Sequence, residues 1–463
     1  MANSQTDQRF GPIYLMPGVT TINVVTKLYG TFVGVAMLSG MHILGGYVLT
    51  EHLGIPKGQQ GTISGDLTVW TEIVAILLFT PVGVLSDRIG RRPVYIMGIL
   101  MIGLGYGFTP YATNVFELTA YRIIFAFGLA ATSSMMASLS NDYPRERSRG
   151  LFIGVASMMN ILGTIFVAGV LAKIPALVID YGGTPIDGGK AMLLTATALC
   201  VVTAIITQFG LKGGTVVSKE EEATIRELFT TGMRSLKNPR LCLSYAGAFA
   251  ARSDLVIKGM FLSLWAIHDA ELYNLSTAGA MARFGTVLLI MQGVSFFTAP
   301  VFGWFMDSVN RVTAMATALS FATIGYLSMG IITSPLDYAM IPYFIILSFG
   351  SSFMIKASIA LVGQEAPPKE RGALIATNAT FGAAGILILS FVGGRLFDAW
   401  GPWAPFVIAG SYQSILFLAA ILVRIYAPGP QLIKKRGNWM VAFYENWKNP
   451  DKKPEKAAKE PAE

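Results

Sequence analysis

The sequence predicts an all-α membrane protein with twelve transmembrane helices in two six-helix pseudo-repeats. Three observations carry this: twelve apolar runs of a length that crosses a bilayer, a composition poor in charge, and a turn sequence that occurs twice. Of the 463 residues, 53% are hydrophobic and 13% charged, with a mean hydropathy of +0.55. A soluble chain carries about 25% charged residues, so lipid is the solvent implied.

Taken in order, residues 1–27 form a cytoplasmic N-terminal segment without the apolar core of a removable signal peptide. The first six-helix bundle, 28–211, holds runs at 29–49, 62–85, 93–112, 118–139, 151–171 and 191–211. The second, 240–427, holds runs at 241–266, 278–306, 312–332, 340–362, 373–397 and 405–425. Between them, 212–239 is a polar cytoplasmic linker. Ser218 and Glu221 make a capping-box pair there, and Ile225, Leu228, Phe229, Met233 and Leu236 recur at helical spacing, which predicts an amphipathic helix on the membrane surface or bracing the halves. The tail, 428–463, is rich in Lys, Glu, Pro and Ala and is expected to be largely disordered, with Trp439, Phe443 and Trp447 as headgroup anchors.

The repeat is visible in the turns. GVLSDRIGRR at Gly83 to Arg92 joins the second and third runs, and GWFMDSVNRV at Gly303 to Val312 joins the eighth and ninth. Gly83 matches Gly303, Asp87 matches Asp307 and Arg91 matches Arg311, all at one constant offset. PRERSRG ending at Gly150 and PPKERG ending at Gly372 are a second pair at nearly the same separation. One arrangement therefore fills the chain twice. The short loops after runs two, four, eight and ten collect arginine and lysine in both halves. By the positive-inside rule both termini are cytoplasmic, in an inner or plasma membrane, and the halves are parallel repeats.

GVLSDRIGRR resembles the loop signature of the major facilitator superfamily, approximately G-x-L-a-D-r-x-G-r-R, at Gly83, Leu85, Asp87, Arg88, Gly90, Arg91 and Arg92. Gly303, Asp307 and Arg311 resemble its second-half counterpart. LTAYRIIFAFG resembles the fourth-helix signature at Leu118, Arg122 and Gly128, with Ala126 where glycine is usual. The resemblance implies the major facilitator fold and a secondary transporter, functional as a monomer, working by alternating access. The loop residues would then be a gating latch, Asp87 accepting from a helix N-terminus or from Arg91 four residues on.

Charges inside apolar runs mark the candidate site, because each costs about 2.5–3.5 kcal/mol near mid-membrane and usually faces a bundle interior or cavity. Arg252, Asp254, Lys258 and Lys356 are substrate-binding candidates. Asp254 and Lys258, four residues apart, share a helix face and could neutralise each other, whereas Arg252 points away and needs another partner. Arg283 likewise enters the eighth run without an acidic neighbour. The excess of positive charge favours a small organic anion bearing a carboxylate or phosphate. Efflux of a hydrophobic or amphipathic compound is the alternative. Glu72, His42 and Arg122 are the proton-coupling candidates: a carboxylate in an apolar helix, an imidazole of ordinary pKa about 6.5, and an arginine able to switch with the carboxylate. A proton gradient is the expected driving force, with sodium as the other coupling ion.

Other classes find little support. The net charge of +8 sits in short turns and the tail, without a basic helix or stacking platform, so the partners expected are lipid headgroups and a small molecule, not nucleic acid. Cys200 and Cys242 lie in or beside apolar runs and read as small hydrophobes, with no metal site or cofactor implied. GSYQS at Gly410 to Ser414 lacks the G-x-S-x-G spacing of a serine nucleophile, so no enzyme is predicted.

Overall fold

The computed structural model describes residues 8–214, 225–367 and 370–429. The first half contains α1 (Thr21–Tyr47), α2 (Lys57–Ile89), α3 (Arg91–Phe108), α4 (Val115–Asp142), α5 (Arg149–Gly169), the short α6 (Ile174–Asp180) and α7 (Pro185–Gly210). After α8 (Ile225–Ser235), the second half contains α9 (Pro239–His268), α10 (Thr277–Ser308), α11 (Arg311–Ser328), α12 (Ile341–Glu365), α13 (Arg371–Ala399) and α14 (Ala404–Tyr426). Among the described residues, ten helices are long and apolar enough to cross a membrane. The other two expected runs are helical as well, though less apolar: α9 is interrupted by Arg240, Arg252, Asp254 and Lys258, and the short α11 opens on Arg311 and is dotted with Thr and Ser. Both pack among the ten, α9 against α1, α12, α13 and α14, and α11 against α12 and α14.

The repeat read from the turns extends to whole helices. Arg91 and Phe108, the limits of α3, map onto Arg311 and Ser328, the limits of α11, by the same offset that relates the turns. Lys57 at the start of α2 maps onto Thr277 at the start of α10 in the same way, and each of these helices carries one internal proline, Pro81 or Pro300. Helix starts follow local chemistry. Thr20, Asn114, Thr184 and Ser276 each accept the backbone N–H three residues on, which satisfies donors that a helix leaves unpaired. The break between α2 and α3 falls at Gly90, whose φ of 96° and ψ of 159° suit glycine alone. In the second copy Asn310 fills the equivalent place with an ordinary φ of −58° and caps α11 through Val312 N–H, so no glycine is needed there.

Chain outside the spans belongs to one half or the other. Residues 9–14 form a hairpin of β1 (Arg9–Phe10) and β2 (Ile13–Tyr14) that docks on the α4–α5 loop. Tyr143 and Tyr14 carbonyls accept from Met16 N–H and Arg145 N–H at 2.9 and 2.8 Å, and Ser148 Oγ bonds both polar atoms of Tyr14's backbone at 3.0 Å. Helix α8 packs on α13, and Ser235 Oγ lies 2.9 Å from Tyr245 Oη. Among the described residues the amphipathic helix therefore sits on the second half. Ser218 and Glu221, the tail aromatics and the side chains of residues 225–229 lie outside the described residues.

Candidate functional site

The halves meet through α2 with α13, α5 with α10, and α1 with α9. At the end of the bundle away from the Gly83–Arg92 turn these contacts are close enough to exclude a side chain. A Cβ on Gly65 would run into the Ser390 carbonyl oxygen, and one on Gly285 into that of Ala168. Polar groups lock the same end. Asp398 accepts from Gly61 N–H at 2.9 Å and Thr62 N–H at 2.7 Å, Arg395 pairs with Asp66 at 2.9 Å, and Lys57 pairs with Glu271 at 3.3 Å. Toward the other end the helices part. Gly83 in α2, Gly154 in α5, Gly293 and Gly303 in α10, Gly363 in α12 and Gly372 in α13 would each accept a Cβ with nothing within 4 Å. The polar contacts between the halves described above all lie at the end away from the basic turns, and the end that carries those turns is the less tightly packed.

Glu72 and Arg252 stand just inside the seal. Thr68 Oγ1 contacts Met260 Sδ of α9 at 3.4 Å, and Glu72, one turn along α2, continues that face. Glu72 is 8% exposed, and Arg252 is the cation that acts on its charge. The Arg252 side chain lies along α13 over Gly382, where a larger residue would displace it. Gly65 and Glu72 are two turns apart, about 10 Å of helix, so this couple crosses between the halves directly below the point where they close. The carboxylate whose charge Arg252 acts on is thus one of the opposite half, Glu72, with no ion pair between them. Arg252 is exposed, and among the described residues neither it nor the half-buried Lys356 makes a hydrogen bond or an ion pair.

His42 and Arg122 lie deeper in the first half. Arg122 is 6% exposed and donates Nη2–H to the Met41 carbonyl at 3.1 Å, while Nε and Nη1 find no partner among the described residues. His42, beside it in charge and packed against Gly259 of α9, leaves Nδ1 unpaired. Arg122 therefore acts on His42, as one cation on another, while the cation that acts on Glu72 is Arg252. Arg283 is held at the sealed end by cation–π contacts with Tyr273 and Tyr338, at 5.2 and 4.6 Å.

Asp254 and Lys258 do not form the ion pair their spacing allows. Asp254, 1% exposed, accepts from Gln413 Nε2 of α14 at 3.0 Å, and Lys258 donates to Ser351 Oγ of α12. Two positions along a helix is just over a half-turn, which is why Arg252 faces the other half and Asp254 the interior of its own. Sequence reasoning missed Gln413, because an uncharged amide inside an apolar run raises no alarm. It also missed Lys27, a lysine 3% exposed whose Nζ lies 4.8 Å from the Phe152 ring centre, because that residue falls just before the first apolar run.

Of the turn residues, Asp87 and Arg91 form the pair that their spacing allows. Arg91 pairs with Asp87 at 2.5 Å and with Asp142 of α4 at 3.2 Å, and also donates to Ser86 Oγ. Arg88 is exposed, and the Arg92 guanidinium lies beside Gly213 at the start of the linker. In the second half Arg311 opens α11, and the Asp307 side chain lies outside the described residues. Asp87 is nearly half exposed, so the pair contributes under about 1 kcal/mol to stability. Asp87→Asn is accordingly expected to leave thermal stability and membrane insertion unchanged while lowering transport in reconstituted vesicles. Unchanged transport would reduce these residues to topology markers.

A family model for the major facilitator superfamily matches residues 28–388 and, in a second match, 299–450. The chain belongs to the major facilitator superfamily. Among curated members of the superfamily it is 28% identical to the magnetosome protein MamH of Paramagnetospirillum magneticum, over 81% of this chain and 86% of that one. It is 25% identical to MamZ of the same organism, of which it spans 58%, and 23% identical to the multi-drug resistance efflux pump PmrA of Streptococcus pneumoniae, over 81% of this chain and 87% of the pump. The superfamily fold is matched by the crystal structure of the nucleoside transporter NupG, with a TM-score of 0.68, 13% identity, and coverage of 88% and 100%. As a multi-pass superfamily member the chain is a transporter and not an enzyme.

Proposed function

We propose that this transporter moves a small organic anion, bearing a carboxylate or phosphate, across an inner or plasma membrane by alternating access coupled to protons. The observation that carries the reading is the pair of cations, Arg252 and Lys356, that no described residue holds in a hydrogen bond or ion pair. An arginine keeps its charge in any protein environment and needs an anion, and the Glu72 carboxylate that acts on it stops short of an ion pair. With the basic turns on the cytoplasmic side, the less tightly packed end faces the cytoplasm. Substrate would then reach Arg252 from that side, compete with Glu72 for it, and so tie occupancy to the group nearest the seal.

Thermal-shift screening of the purified protein against carboxylates, phosphates, sugars and hydrophobic cations tests this. Small anions are expected to stabilise it in proportion to concentration, and Arg252→Gln and Lys356→Gln each to weaken that response at least about tenfold, since a hydrogen bond to a charged group is worth about 1.5–3 kcal/mol. The likeness to PmrA favours a second reading, efflux of a lipophilic compound. Stabilisation by hydrophobic cations alone, with both variants silent, would replace the first reading with the second.

A further inference from the structure

The interior of the second half holds a polar cluster that the anion site does not use. Asp254 of α9, Gln413 of α14 and Tyr326 of α11 are 1%, 0% and 0% exposed. Gln413 Nε2 donates to Asp254 Oδ1 at 3.0 Å. Three atoms are left without a hydrogen-bond partner among the described residues, Asp254 Oδ2, Gln413 Oε1 and the hydroxyl of Tyr326, which lies close enough to act on the carboxylate.

Counting donors shows what is missing. A carboxylate has only acceptors, and a primary amide has one acceptor and one donating nitrogen. With Asp254 ionised, the two unpartnered oxygens are both acceptors, and burying unpaired polar atoms is costly. Tyr326 can turn its hydroxyl toward Oδ2, but that leaves Gln413 Oε1 without a donor. Reversing the amide changes nothing, because its oxygen then meets Oδ1 and again needs a hydrogen. One added proton removes the buried, unpaired charge and serves both oxygens: Oδ2–H donates to Oε1 while Nε2–H donates to Oδ1, which leaves only the neutral Tyr326 hydroxyl without a partner.

We propose that Asp254 is the residue that binds the transported proton, with Gln413 as its positioning residue. The use of that proton rests on the transport reading above; the site itself does not. Lys258 is the moving part. It sits one helical turn from Asp254, yet no ion pair within 4.0 Å joins them and the ammonium is given to Ser351 of α12. That is the arrangement expected of a neutral Asp254. Release of the proton to water creates a carboxylate that draws Lys258 off Ser351, so protonation of α9 changes what α9 holds on α12. The charged and titrating groups that act on Asp254 are Lys258 from its own helix and Tyr326 from α11. Of the other elements packed on α9, α14 brings neutral Gln413, α1 brings His42 against Gly259, α2 brings Glu72 toward Arg252, α10 brings Arg283, which lies over Tyr273 and Tyr338, α12 brings Lys356 beyond Ser351, and α13 places Gly382 under Arg252.

Infrared difference spectroscopy of the full-length protein in lipid films, stepped in pH, reads the site without substrate. Wild type is expected to show the carbonyl band of a protonated carboxylic acid that vanishes on alkalinisation. The band should be absent in Asp254→Asn, shifted to higher frequency in Gln413→Leu through loss of the hydrogen bond, and retained in Glu72→Gln. Asp254→Asn should also fold and melt no lower than wild type, because the asparagine amide supplies the same donor to Gln413. A band that survives Asp254→Asn, no titrating band in wild type, or an Asp254→Asn protein that melts well below wild type would each overturn the assignment. Failure of anion stabilisation would leave these spectra unchanged, so the two readings fall separately.

Discussion

Gly65→Leu is expected to hold the molecule open at the end that is now closed and to cut transport by more than about tenfold. At this position α2 and α13 touch backbone to backbone, and a Cβ already collides with the Ser390 carbonyl oxygen. Forcing a larger side chain into a packed contact costs about 1–3 kcal/mol. A penalty of that size on one of two states shifts their balance by about 5–150-fold. In a background with Cys200 and Cys242 replaced by serine, a cysteine at Thr68, buried between the halves, should then become reactive. A cysteine at Gly154, now in open space, should lose reactivity as the other end closes. Reactivity that changes at neither position would refute the rocking of one half on the other.

The couple between Glu72 and Arg252 should show its worth in a double-mutant cycle. Glu72→Gln keeps the shape of the side chain and removes the charge that competes with substrate for Arg252, so it is expected to uncouple accumulation from a pH gradient while proton binding at Asp254 and exchange of bound substrate remain measurable. Arg252→Gln removes the cation that faces a carboxylate only 8% exposed and should be the more destabilising change. Combining the two should recover stability, with a coupling of about 0.5–3 kcal/mol. Additive losses would mean that the two residues act on different partners. Gradient-driven uptake surviving Glu72→Gln at its original pH dependence would move the energetic role wholly to Asp254.

Much of this was legible in the sequence because lipid leaves few options. A bilayer demands long apolar helices, so the spans and the turn signatures could be counted, and the constant offset between the two copies carried the helix limits with it. The Asp87–Arg91 pair was readable because both members lie on one helical turn. Which buried charge meets which was not readable, because the partners come from helices distant in sequence. Arg252 of α9 acts on the charge of Glu72 of α2, in the other half of the chain, and Asp254 bonds Gln413 and not the lysine beside it. Spacing along a helix says which groups can touch, whereas the choice among them depends on what the neighbouring helices offer. Gln413 is invisible to any search for charge, and only the two oxygens left without donors expose it.

The docking of the two peripheral segments gives each half an external handle. The hairpin at residues 9–14 is bonded to the α4–α5 loop, and α8 is seated on α13, so one rides with the first half and the other with the second. Spin labels or fluorophores on these two segments therefore form a ruler that lies wholly outside the permeation path. Its length should alter as the protein turns over, and neither label would stand in the way of substrate.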